Sequence, residues 1–241
     1  MTLHLGSVLY FDRELAEDPA PLEELRQLSR APGLRSWTAR AHSSTKPAAF
    51  AIDKVIAIVR APDTVTIGVE TPDRSVTLIA STGGPSASLP RAWKHDVVLA
   101  LSATQVAALG QAAVVSALSD FAGEVSATAG VVLWSASLSY ARALALLASG
   151  DDLTKDQAGR VTDAYYWRSK WGTVIRGPEW GTFLSAAHVA TLAGRELPAA
   201  KVTPLASGGM FVQATAGPFD VDAPPPALAA LRQALAPVMP G

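Results

Sequence analysis

The chain has 241 residues, of which 49% are hydrophobic and 17% charged. That is too apolar and too sparsely charged for a disordered polypeptide. Twenty Lys and Arg face twenty-one Asp and Glu, a net charge of −1, which argues against nucleic-acid binding through an excess of basic residues. There is no Cys, so disulfides, thiolate metal sites and Cys nucleophiles are excluded.

Met1 to Asp12 has no basic leader and meets acids at once, so it does not read as a secretory signal, and a cytoplasmic location is expected. Leu3–Phe11 reads as a strand. Pro19 and Pro21 open a helix to about Arg30, with Leu22, Leu25 and Leu28 at spacings of three. Residues 31–48, rich in Pro, Gly, Ser and Arg, read as loop. Val55–Val59 is strand-like. Thr64–Glu70 and Ser75–Ala80 form a hairpin around Pro72-Asp73, and Ser81–Pro90 is a loop by composition.

Val97–Leu101 reads as a strand, followed by a helix capped at Ser102 or Thr104 and running to about Phe121. Val97 to Ser119 carries no formal charge. Its Ser102, Thr104, Gln105, Gly110, Gln111, Ser116 and Ser119 are costly in lipid, so a strand and a buried helix are expected there and no membrane partner. Gly130–Trp134 is a buried strand. Leu138–Ala148 is a helix stopping at Ser149-Gly150, and Thr154 to Gln157 has capping-box spacing for another. Gly172–Arg176 reads as a short strand, and Trp180–Ala193 as a helix ended by Gly194. Val202–Leu205 and Met210–Thr215 flank Ser207-Gly-Gly209 as a second hairpin. Pro224 to Pro226 starts a last helix with Leu228, Leu231 and Leu235 on one face.

Explicit hairpins among helices give an α+β class: a mixed, largely antiparallel sheet flanked by helices. One domain over residues 1–241 is expected, with 81–94 as the alternative place for a boundary between two lobes.

No catalytic motif is present: no G-x-S-x-G elbow, no Walker A loop, no H-E-x-x-H. His4, His42, His95 and His188 are too far apart in sequence to suggest a metal pair. No metal, no cofactor and no catalytic residue is expected. Two acidic clusters stand out. One holds Asp12, Glu14, Glu17, Asp18, Glu23 and Glu24 around a single base, Arg13. The other holds Asp151, Asp152 and Asp156 around Lys155. Each reads either as a solvated face, with acids favouring helix N-termini, or as a patch complementary to a basic protein partner. Trp167, Trp171 and Trp180 fall within fourteen residues, beside Tyr165 and Tyr166. They read as a packing cluster, with a ligand platform as the alternative.

The segment Val174-Ile-Arg-Gly-Pro-Glu-Trp-Gly-Thr-Phe-Leu-Ser-Ala-Ala-His-Val-Ala-Thr-Leu-Ala-Gly194 resembles bacterial type VI secretion immunity proteins. The resemblance continues through Val202-Thr-Pro-Leu205, Gly208-Gly209, Met210-Phe-Val-Gln-Ala214, Gly217-Pro218 and the Leu228–Pro237 helix, and more loosely through Val97–Trp134. A related immunity family, from polymorphic toxin systems with restriction-endonuclease-like toxins, shares the pattern. Where the family has Gly-Asp-Val-Asn after its Ala-Gly-Pro, this chain reads Phe219-Asp-Val-Asp222, keeping only the Asp-Val pair. The resemblance implies a non-catalytic inhibitor that binds a cognate secreted antibacterial toxin, a nuclease acting in the cytoplasm, and occludes or distorts its active site. It carries over no contact residues. Other classes left open by the residues are an enzyme with an unmotifed carboxylate site and an adaptor or structural component of the secretion machine.

Overall fold

The computed structural model describes residues 2–13, 15, 18, 20–21, 35–40, 43–44, 48–49, 64–71, 73, 75–81, 95–146, 152–167 and 174–240; for 35–40, 43–44, 48–49, 64–67, 69, 80–81 and 164–167 only the backbone is considered. The strands are β1 (His4–Phe11), β2 (Arg35–Arg40), β3 (Ser43–Ser44), β4 (Ala48–Ala49), β5 (Thr64–Glu70), β6 (Val76–Ser81), β7 (His95–Leu101), β8 (Ala129–Ser135), β9 (Gly181–Leu184), β10 (Lys201–Pro204) and β11 (Met210–Gln213). The helices are α1 (Ala103–Leu109), α2 (Gln111–Glu124), α3 (Leu138–Leu146), α4 (Lys155–Trp167), α5 (Ala186–Thr191) and α6 (Pro226–Leu235), the last running into a 3-10 turn at Ala236–Val238.

The strands form an eleven-stranded sheet in the order β10-β11-β9-β8-β1-β7-β6-β5-β2-β3, with β4 also on β2. Every described pairing is antiparallel. The α+β class expected from the hairpins is what the chain adopts.

β1 lies between β7 and β8, and its side chains alternate between two cores. Leu5, Leu9 and Phe11 point to one face, with Val97, Leu99, Leu101, Val132 and Trp134 from the neighbouring strands. That face is covered by α2, which buries Val114, Ala117, Leu118, Phe121 and Ala122, a stripe at helical spacing. Val8, Tyr10, Val98, Val131 and Leu133 point to the other face and meet α3 through Tyr140, Ala141 and Leu144. Strands buried on both faces read as unbroken apolar runs, as Val97–Leu101 and Gly130–Trp134 do. The third core is C-terminal. Leu184 and Val212 turn away from the first core and pack with Ile175, Leu228, Leu231, Leu235 and Val238.

α3 crosses β1 at Gly6, where a Cβ would stand 2.4 Å from the Ala141 carbonyl oxygen. Only glycine permits that approach.

Four expectations are corrected. Residues 31–48 are not all loop, because β2 pairs with β5 from Arg35↔Glu70 to Arg40↔Thr64; the short alternation Ser36-Trp37-Thr38-Ala39-Arg40 is flanked by Pro, Gly, Ser and Arg residues that read as loop, and a distant partner strand completes the element. The helix expected to reach Phe121 unbroken is two helices bent by 84°. Gly110, at φ 83° and ψ 121°, adopts a backbone geometry a helix cannot contain. Val174–Arg176 is not a strand. Ile175 N–H instead donates to the Val238 carbonyl at 2.6 Å. Trp180–Ala193 is not one helix: Gly181–Leu184 forms β9 between β8 and β11, and the helix starts after Ser185. There Ser185 and His188 make a reciprocal capping box, which satisfies free N–H groups at the helix start.

The helix expected over 19–30, the strand over 55–59, the loop after Ser81 with the lobe boundary, and the Ser149-Gly150 stop lie outside the described residues, apart from Ala20-Pro21. Among the described residues no single helix is long and apolar enough to cross a membrane.

Candidate functional site

Of the first acidic cluster, Asp12 is exposed, and Asp18 is half-buried and ion-paired with Arg13. Arg13 also donates to the Glu124 carbonyl at the end of α2, and Asp18 accepts from the Ala20 N–H at 3.2 Å. Asp18 therefore helps pin the chain leaving β1 against α2. Glu14, Glu17, Glu23 and Glu24 lie outside the described residues. In the second cluster Asp152, Lys155 and Asp156 are exposed around the start of α4, and Thr154 and Gln157 close the capping box at 3.1 and 3.3 Å. Asp151 is outside the described residues.

Trp180 is 1% exposed. Its ring meets Trp134 edge-on at 5.6 Å and Phe211 at 6.4 Å, and its indole N–H donates to the Gly217 carbonyl at 2.9 Å. The structure therefore joins Trp180 to Trp134 and Phe211, residues distant in sequence. Trp171 and the side chain of Trp167 lie outside the described residues.

The histidines that are described sit in separate places. His4 Nδ1 accepts from the Ala103 N–H at 3.2 Å, and burial lowers its pKa. His95 is buried against Phe11, and His188 caps α5. No group of three His, Asp or Glu suited to a metal occurs among the described residues.

One concave site among the described residues was not apparent in the sequence. A cavity of about 530 Å³ opens between α3, α4, α6, the segment 176–179 and the segment 219–224. Its polar lining is Tyr140, Arg160, Asp163, Arg176, Glu179 and Arg232. Its apolar lining includes Leu144, Phe219, Val221, Leu228 and Met239.

The scaffold behind this lining is specific. Arg160 donates to the Val221 carbonyl at 3.2 Å and to Asp222 at 3.1 Å, and Gln157 donates to the other Asp222 oxygen at 2.9 Å. These bonds latch α4 to the 219–224 segment. Asp220 accepts from the N–H groups of Asp222 and Ala136 at 3.1 and 3.3 Å, and Val221 N–H donates to the Trp134 carbonyl at 2.8 Å. Arg176 donates to the Leu144 carbonyl at 2.8 Å, at the end of α3.

Burial pushes the Glu179 carboxyl up, opposed by the charges of Arg176, Arg232 and Arg160. Burial also raises the Tyr140 phenol, against the opposing charge of Arg160. Arg176 to Glu179, Val221, Leu228 and Arg232 lie inside segments that resemble immunity proteins.

No family model matches the chain, and no curated protein matches it. Among solved structures, the chain is similar to the Pseudomonas aeruginosa T6SS protein PA0821, with a TM-score of 0.67 and 13% identity. The match covers 98% of this chain and 73% of that one. At this identity the likeness is one of fold.

Proposed function

We propose that this chain is an immunity protein of a type VI secretion system, which binds a cognate antibacterial toxin and neutralises it without catalysis. The observation that carries the proposal is the shared fold with a type VI secretion protein across nearly the whole chain. The residue pattern resembling immunity proteins narrows the role, and its members have structural work to do here. Gly217 receives the Trp180 indole bond, Asp220 and Val221 fasten a turn to β8, and Phe183 stacks on Phe211 at 4.7 Å.

The toxin class follows from the related family, whose toxins include restriction-endonuclease-like nucleases. A nuclease cleft presents Lys and Arg to phosphate, so a covering inhibitor gains from carboxylates. The run Asp12, Glu14, Glu17, Asp18, Glu23 and Glu24 is the proposed contact, with steering charge raising the association rate.

The test is titration of the candidate cognate toxin, sought among the products of the neighbouring genes and purified as an inactive variant, against the full chain in a calorimeter. A one-to-one complex with Kd in the nanomolar range or tighter, roughly −12 kcal/mol, supports the proposal. No heat at micromolar concentrations of two folded proteins refutes it.

A further inference from the structure

We propose that the cavity bordered by Arg160, Arg176, Arg232 and Glu179 binds a small zwitterion of the α-amino-acid class with an apolar side chain. This inference goes beyond the immunity reading and does not depend on it.

The first observation is that opposite charges share the cavity without pairing. Among the described residues Glu179 forms no ion pair with any of the three arginines, although each of them acts on its carboxyl electrostatically. Glu179 is half-buried, and a carboxyl held near guanidiniums without salt bridges is left for water or a ligand to satisfy. The natural complement is a molecule whose own charges are separated in the same sense. Its carboxylate meets the guanidinium forks, which suit it in bidentate geometry. Its ammonium meets Glu179.

The second observation is how the donors are prepared. Arg160 and Arg176 are braced by the carbonyls of Val221 and Leu144. Each guanidinium has five N–H donors, so bracing fixes its direction and leaves others for a ligand. Arg232 makes no hydrogen bond or ion pair among the described residues. The Tyr140 hydroxyl is buried and completes no hydrogen bond of good geometry, with the Arg160 guanidinium alongside.

The third observation is size and lining. About 530 Å³ falls within the range of small-molecule sites and exceeds what a bare ion would fill. Leu144, Phe219, Leu228 and Met239 supply an apolar wall for a side chain.

The experiment uses the full chain and isothermal titration at neutral pH with leucine, methionine and phenylalanine. Each is compared with its deaminated acid and its decarboxylated amine. At least one amino acid is expected to bind with Kd on the order of 1 mM or tighter, and its single-charged analogues about tenfold or more weakly, the effect of one charged hydrogen bond. In Glu179→Gln the amino acid and its deaminated acid are expected to bind within about twofold of each other, because the ammonium has lost its partner. In Arg232→Gln the preference for the amino acid over its amine is expected to shrink. Arg232 is exposed, so its variant keeps the fold, and circular dichroism verifies both variants. The proposal is overturned if none of the three amino acids binds at concentrations on the order of 10 mM. It is overturned equally if the unsubstituted chain binds a deaminated acid as tightly as the parent amino acid, or if Glu179→Gln leaves the discrimination unchanged.

Discussion

Truncating Trp180 to Ala tests how the two halves of the sheet are joined. The ring is 1% exposed. It lies edge-on to Trp134 of β8 and beside Phe211 of β11, so it fills space that no neighbour can collapse into without shifting strands. Removing a buried Trp costs about 3–5 kcal/mol through lost transfer energy and the cavity left behind. The indole bond adds little to that cost. Gly217 O still accepts from the Thr215 hydroxyl at 2.7 Å, so truncation leaves no carbonyl orphaned. For a chain of this length each kcal/mol lowers the melting temperature by about 2–4 °C, which gives a drop on the order of 10 °C. Trp180→Phe keeps most of the apolar volume and should lose about half as much or less. The assay is urea denaturation followed by far-UV circular dichroism, which does not depend on the Trp being removed. A Trp180→Ala midpoint corresponding to less than about 1 kcal/mol would refute the packing argument.

Gly6→Ala should destabilise by about 1–3 kcal/mol, because its Cβ would press on the Ala141 carbonyl; an unchanged denaturation midpoint would show that α3 can shift. Ser185→Ala should cost about 1 kcal/mol through loss of the α5 cap, read by the same measurement. Asp73 is held at a pKa of about 2 by hydrogen bonds from Thr71 and from the backbone and side chain of Ser75. A carboxyl depressed in the folded state contributes stability above its unfolded pKa, and that contribution is lost as pH falls toward 2. Thr71→Ala should move its titration, followed by NMR, back upward. Reversing Glu17, Glu23 and Glu24 to Lys should slow toxin association and weaken its salt dependence while leaving the melting temperature nearly unchanged; unchanged association kinetics at low ionic strength would place the interface elsewhere.

Local chemistry made much of the fold legible. The hairpin at 64–81 and the pair at 201–213 announce themselves by alternation around turn residues. The Thr154 box marks the start of α4, and the Leu228, Leu231, Leu235 stripe marks α6. Elements defined by their partners were hidden. Arg35–Arg40 is a strand because β5 lies beside it. Gly181–Leu184 is one because β8 and β11 flank it, although its apolar residues run without a break into helical spacing. There the decisive local signal was Ser185, a cap in the middle of what read as one helix. At Gly110 a single glycine reads as tolerable within a helix, and only its backbone angles reveal the bend. The cavity was invisible for a different reason. Its charged lining at positions 160, 176, 179 and 232 comes from three separate segments, α4, 176–179 and α6, and no spacing links them until the sheet and its C-terminal helix assemble.

Protection of cells from the toxin is the most direct consequence of the proposed role. Cells expressing the candidate cognate toxin, with and without the full chain, should differ in growth. Restored growth that depends on a complex recovered from the same cells is the predicted result. Continued killing while both proteins are folded and abundant would contradict it.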